Sequence, residues 1–170
     1  MKMINDHLDF TSENKYADNK VIGLLTKTNT NLISICLLLL RCTVGVILFI
    51  AGSGKVFGWF GGFGMDVTLQ GYAQMGFAHS LTYLSMFTEL VGGFLFVIGF
   101  FTRPVAIAVI INMLVATIIM LPNGFLGPSG ASYPFIFLII SVVVFFAGPM
   151  SLSIDSLMLK KIKFISSNLI

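Results

Sequence analysis

Charge is scarce in this chain. Lysine and arginine number 10 and aspartate and glutamate 7, so charged residues make up 10% of the 170, against roughly a quarter in an ordinary soluble domain. Cysteine is nearly absent too. Cys36 and Cys42 lie in one apolar segment, six residues and so about 600° apart on a helix, facing nearly opposite ways. They cannot bridge within that helix, and no CxxC or Cys/His metal spacing accompanies them. The two histidines, His7 and His79, are not an intramembrane pair on facing helices, which excludes a bis-histidine haem. No Ser/His/Asp, Cys/His or paired-carboxylate set is present, and no glycine fingerprint sits in a βαβ context, so hydrolytic chemistry of the soluble type is excluded.

What is abundant is apolar surface. Hydrophobic residues make up 56% of the chain, with 17 Phe and 17 Gly, and the mean hydropathy is +0.97. No soluble core of this size uses that much, so the expected solvent is lipid. The expected fold class is an all-α polytopic membrane protein, a four-transmembrane-helix bundle. Spans are expected at Leu32–Ala51, Ser80–Phe101, Pro104–Leu121 and from Ser132-Tyr133-Pro134 to Gly148-Pro149, about 17–22 residues each, which suits a ~30 Å hydrocarbon layer. Thr102-Arg103-Pro104 is a tight break in which Pro104 starts a helix without losing a hydrogen bond.

Three regions follow. Residues 1–31 are a polar leader with eight charges, 32–150 the transmembrane domain, and 151–170 a basic tail. The first apolar run comes too late and runs too long for a secretory signal. The connection Ser53–Ala78 carries seven glycines with Phe57, Trp59, Phe60 and Phe63, aromatic residues suited to the headgroup level. Its part Met65–Met75 has the composition of a short interfacial helix, while Gly61-Gly62-Phe63-Gly64 reads as a flexible boundary loop. In the tail, Ser151–Ser166 spaces apolar residues helically beside Lys160, Lys161 and Lys163, as in a helix lying on a membrane surface; the alternative is a tail without fixed structure.

Charge sets the expected orientation. The leader (Lys2, Lys15, Lys20, Lys27), Arg103 and the three tail lysines fall on one side, eight in all, with Lys55 alone on the other. By the positive-inside rule both termini are cytoplasmic and Ser53–Ala78 lies outside. The basic pI near 9.0 therefore points to anionic lipid rather than nucleic acid.

Ionisable residues inside a bilayer cost at least ~2.5 kcal/mol each and mark candidate sites. Arg41 lies in the first span, Glu89 in the second, and Lys55 near the outer boundary. Arg41, Gly45, Leu48, Gly52 and Lys55 form one helical stripe. Glu89, Gly92, Phe96, Gly99 and Arg103 form another, with Gly93 beside it. Glycines on such stripes let helix backbones approach closely. If the spans end as drawn, Arg41 and Glu89 lie at similar depth, about 16 and 13 Å from the outer ends, which predicts an Arg41–Glu89 ion pair. Asn112, in the third span, is the third expected member. The cluster is then either a structural clasp or, with Lys55, an outward-opening pocket for a small anionic or quinone-like ligand.

These motifs resemble the DoxX family. One is Arg41-x3-Gly45-x6-Gly52-x2-Lys55 before an aromatic, Gly-rich connection. The other is Glu89-x2-Gly92-Gly93-x5-Gly99-x2-Thr102-Arg103 before a small-residue third helix. The resemblance covers about residues 36–150. It departs from the family at Gly76-Phe77-Ala78, where Gly-x-Pro is common, which puts the local turn in question. The resemblance implies a four-helix bundle of the bacterial cytoplasmic (inner) membrane. It also implies association with oxidoreductase systems, among them a thiosulfate:quinone oxidoreductase, and Arg41, Lys55 and Glu89 as the shared polar site. No intrinsic cofactor is evident, so a redox role needs quinone or a redox partner subunit. Two classes stay open: a subunit of a quinone-linked oxidoreductase, or a non-enzymatic scaffold, homo-oligomer or small-solute passage in which the ion pair is structural.

Overall fold

The computed structural model describes residues 30–127, 129–148 and 153–167. The chain divides into a unit of residues 1–33 and a unit of residues 34–170. Of the first, only the start of one helix is described, so the expectation for the polar leader falls outside the described residues. Six α-helices occur among the described residues: α1 (Thr30–Phe57), α2 (Gly64–Gln74), α3 (His79–Ile98), α4 (Thr102–Met120), α5 (Ser132–Ala147) and α6 (Ile154–Ser167). Short 3-10 turns sit at Trp59–Gly61 and Leu121–Asn123, and no strand occurs among the described residues.

Among the described residues three segments are long and apolar enough to cross a membrane: Leu32–Phe57, His79–Ile98 and Thr102–Asn123. Only 28%, 33% and 28% of their apolar windows are buried in the protein. The remaining apolar surface faces outward and is far larger than a soluble monomer exposes, as expected of helices solvated by lipid. The fourth apolar helix, Ser132–Ala147, has 16 residues, about 24 Å at 1.5 Å per residue, shorter than the other three.

One core joins four helices: Val44 and Leu48 of α1, Phe96 of α3, Val105, Ala106, Val109 and Met113 of α4, and Phe137 and Val144 of α5. α4 packs along α5 and α3, and α2 packs against α3. α1 meets α3 through glycines. A Cβ at Gly45 would lie 2.8 Å from Gly93 O, one at Gly93 would lie 2.5 Å from Phe49 N, and one at Gly52 would collide with Leu90 N. Gly92 is different. It faces α4, where a Cβ would meet Val105 and Val109 at an ordinary 3.6 Å.

The element limits correct the sequence reading in several places. α1 does not stop at Ala51 but runs on to Phe57. Gly52 and Gly54 look like breakers, yet in lipid a continued helix is what satisfies the backbone, and both glycines sit at close contacts. The connection Ser53–Ala78 is accordingly mostly helical. Gly62 is no loose boundary residue: its Cα lies against the Gly54 backbone, so a Cβ there would collide with Gly54. Cys36 and Cys42 are both free thiols.

The helix expected at Met65–Met75 is α2, and the expected tail helix is α6. The break between α3 and α4 falls at Gly99–Phe101 rather than at Thr102–Pro104, so Pro104 occupies the third position of α4, where its missing N–H is still among the unpaired ones of a first turn. At the departure from the family, Gly76 takes φ +84° and Ala78 takes φ −64°. That is the angle proline would impose, so alanine here holds the backbone angle of a proline.

Candidate functional site

Glycine contacts set the register between the antiparallel α1 and α3, and the register decides which charges meet. With Gly52 opposite Leu90 and Gly45 opposite Gly93 and Val97, one further turn along α1 brings Lys55 to Glu89. Lys55 Nζ donates to Glu89 Oε1 at 2.7 Å. Lys55 also lies 5.9 Å from the centre of the Tyr72 ring of α2, within the range of a cation–π contact. It occupies the last turn of α1, where the helix dipole favours a cation. The Glu89 side chain is 6% exposed and that of Lys55 29%, so the carboxylate is enclosed and the ammonium reaches the rim.

Asn112 of α4 joins them, its Nδ2 at a long 3.4 Å from Glu89 Oε1. Tyr133, at the start of α5, is within electrostatic reach of both charges. Glu89 Oε2 is buried with no hydrogen-bond partner among the described residues, and such an acceptor ordinarily finds one.

The Arg41–Glu89 ion pair does not form. Because α1 is six residues longer than the sequence reading allowed, Arg41 lies about 24 Å from its end, while Glu89 lies about 15 Å from the start of α3. The Arg41 guanidinium packs instead on Gly99, where a Cβ would stand only 2.6–2.7 Å from its nitrogens and carbon. Arg41 is buried at the opposite end of the α1–α3 contact, so the candidate residues divide into two centres: Lys55, Glu89 and Asn112 at one end, and Arg41 at the other.

The second centre includes a residue that no motif marked. Asp155, in the first turn of α6, accepts from Phe101 N (2.9 Å), Thr102 N (2.8 Å) and Thr102 Oγ1 (2.8 Å). In return its own N–H donates to Gly99 O at 3.2 Å. These are the unpaired N–H groups of the α4 start, capped by a carboxylate from another helix. Phe101 is held at φ +51°, a conformation costly for a residue with a Cβ. Burial raises the Asp155 pKa, but the Thr102 and Phe101 hydrogen bonds and the Arg41 charge outweigh it and hold the carboxyl below its ordinary 3.8. The signals available in sequence were Ser153 and Ser156. They bond each other as a helix start, Ser156 N to Ser153 Oγ at 3.1 Å, and mark where α6 begins but not what it docks on.

Beside the first centre a groove of about 430 Å³ runs between α3 and α4, closed at one end by Tyr72 and Phe77. Its walls are apolar apart from Thr82, Ser85, Thr88 and Asn112. Asn112 therefore touches both the groove and Glu89. Among the described residues, no group of three or more His, Cys, Asp or Glu is arranged to hold a metal ion.

The chain is 29% identical over 124 residues to a Bacillus subtilis (strain 168) protein named "Putative oxidoreductase CatD", a match spanning 72% of this chain and 87% of that one. No solved structure matches it significantly. The DoxX family model matches residues 36–122, the stretch that contains α1 from Cys36, α2, α3 and α4 with both polar centres' membrane residues. Just over half of its length is thus matched, and the chain belongs to the DoxX family.

Proposed function

We propose that this protein is the membrane subunit of a quinone-linked oxidoreductase system, with Lys55, Glu89 and Asn112 as its ligand site. The observation that carries the reading is the groove at Asn112. It is an apolar cleft of about 430 Å³, of a size usual for small-molecule sites, and its polar wall residue Asn112 stands 3.4 Å from Glu89 Oε1. An amphiphile with an apolar body and a hydroxyl or carbonyl head fits that chemistry, and the oxidoreductase name of the Bacillus relative supports it. A bound quinone would supply two-electron chemistry, with the electrons coming from a partner subunit.

The chain's own residues would orient and move protons. Asn112 would hold the head oxygen in the groove, Glu89 behind it would relay a proton to that oxygen as the electrons arrive, and Lys55 holds Glu89 Oε1 at 2.7 Å. Arg41, 10 residues' worth of α3 away at Gly99, has no part in this site and serves the other end of the bundle.

The reading includes a topology. α5, extended by its flanks, is the fourth span, the termini are cytoplasmic, and the membrane is the bacterial inner membrane. Support comes from the grouping of charges. Arg103 and Lys161 lie toward the end that carries Arg41 and Asp155, whereas exposed Phe57, Trp59, Phe60 and Phe63 ring the end that carries Lys55.

One observation favours a second reading, a scaffold without redox activity. The 2.7 Å Lys55–Glu89 contact joins α1 to α3 at the same seam as the glycines, which is where a purely structural clasp belongs. Binding of a short-chain naphthoquinone to the purified chain, followed by native mass spectrometry, separates the two. Ala116→Trp fills the groove without touching the ion pair and is expected to weaken binding at least tenfold while the helix content stays unchanged. Equal binding by wild type and A116W would sink the quinone site and leave the clasp.

A further inference from the structure

We propose that the wedge between α6 and the α3–α4 turn binds one anionic phospholipid, with its phosphodiester against Arg103 and an acyl chain along the apolar walls. The site is separate from the Glu89 groove and does not depend on what that groove holds.

Asp155 docks the first turn of α6 on the α3–α4 turn. Beyond it the same helix face, at Met158, Leu159 and Ile162, draws away and leaves a gap of about 570 Å³. Phe100, Phe101 and Pro104 form the opposite wall. Leu159 and Ile162 are 60% and 61% exposed, an apolar surface that a protein of this class covers with lipid.

Three polar residues line the gap, and two are already committed. Asp155 and Thr102 bond each other, so the carboxylate's capacity is taken up by backbone and hydroxyl donors. Arg103 carries no hydrogen bond or ion pair among the described residues. Its guanidinium lies over Gly148, where a Cβ would come within 3.0–3.4 Å of its Nη2, Nε and Cζ. A planar guanidinium with free donors at the mouth of an apolar cleft suits a phosphodiester, which it can engage bidentately.

α6 carries Lys160, Lys161 and Lys163 in sequence, and a basic cluster beside a span attracts anionic headgroups by about fivefold in affinity per residue. The apolar walls are what distinguish this site from one for a free phosphate.

The test uses the full-length chain in detergent micelles, offered equal phosphatidylglycerol and phosphatidylcholine and read by native mass spectrometry. One phosphatidylglycerol retained with at least tenfold preference is expected. Arg103→Gln should reduce that preference toward unity, Arg103→Lys should keep part of it, and Lys161→Gln should lower it about fivefold. Leu159→Asn should weaken retention of both lipids. Equal retention of the two lipids by wild type, or an undiminished preference in both R103Q and K161Q, would overturn the proposal. Displacement of the lipid by soluble glycerophosphate would overturn it as well, since the headgroup alone would then explain binding.

Discussion

Two adjacent glycines carry different duties, and their substitutions are expected to separate them. Gly93 lies backbone to backbone against Phe49 and Gly45, whereas Gly92 meets only side chains, of Val105, Val109 and Thr88, at ordinary distance. Gly93→Ala forces α1 and α3 apart and is expected to destabilise the protein by about 1–3 kcal/mol. Gly92→Ala should be neutral or stabilising by up to about 1 kcal/mol, because alanine is the better helix former. Unfolding of the two variants in mixed micelles tests the contrast; equal losses would mean that the α1–α3 seam is not where these contacts place it.

The ion pair gives a second test at this scale. Lys55→Met leaves the enclosed Glu89 carboxylate without its cation and is expected to cost about 3–5 kcal/mol. Lys55→Met with Glu89→Leu removes both charges and should recover most of the loss. Recovery by the same double change made at Arg41 and Glu89 instead would contradict the observed pairing.

At the scale of elements, the docking of α6 depends on one carboxylate. Asp155 has its pKa lowered below 3.8, so its contribution is complete above the ordinary carboxylate range and fades as pH falls through the lowered value. Docking is therefore expected to be constant across neutral pH and to loosen only in strong acid. Asp155→Asn should loosen it at every pH, raising hydrogen exchange of α6 and of Thr102 about five- to tenfold, which corresponds to the ~1 kcal/mol worth of a helix cap. Unchanged exchange in D155N would show that α6 is held by other contacts.

The same elements show where sequence patterns were informative. Hydropathy located α1, α3 and α4, and the apolar spacing of the tail located α6, because burial in lipid and helical periodicity are local properties. The end of α1 was misplaced by six residues because glycine is a breaker in water and an interface residue in a membrane helix. The Asp155 cap was invisible because its partners, Phe101 and Thr102, are more than 50 residues away along the chain.

For the whole molecule, the proposed arrangement has four spans with both termini on the cytoplasmic side. Reporter fusions at the C-terminus and in the connection around Gly124–Gly127 test it. A cytoplasmic signal from both is expected to be impossible: the C-terminal fusion should report cytoplasm and the Gly124–Gly127 fusion the outside. Opposite-side signals are required because α5 lies between the two positions, and same-side signals would reduce the count to three spans.

Composition and periodicity alone determined that this chain is helical, lives in lipid and carries Arg41, Lys55, Glu89 and Asn112 among its apolar helices, because the cost of a charge in hydrocarbon makes such residues conspicuous wherever they occur. Which of them meet was decided by tertiary structure. The close glycine contacts fix the α1–α3 register to within a turn, and that register gives Glu89 to Lys55 and seats Arg41 on Gly99, about 15 Å farther along α3. Sequence lists the charges, but pairing is a matter of a few ångströms across a helix interface, and only the packed backbones set that distance.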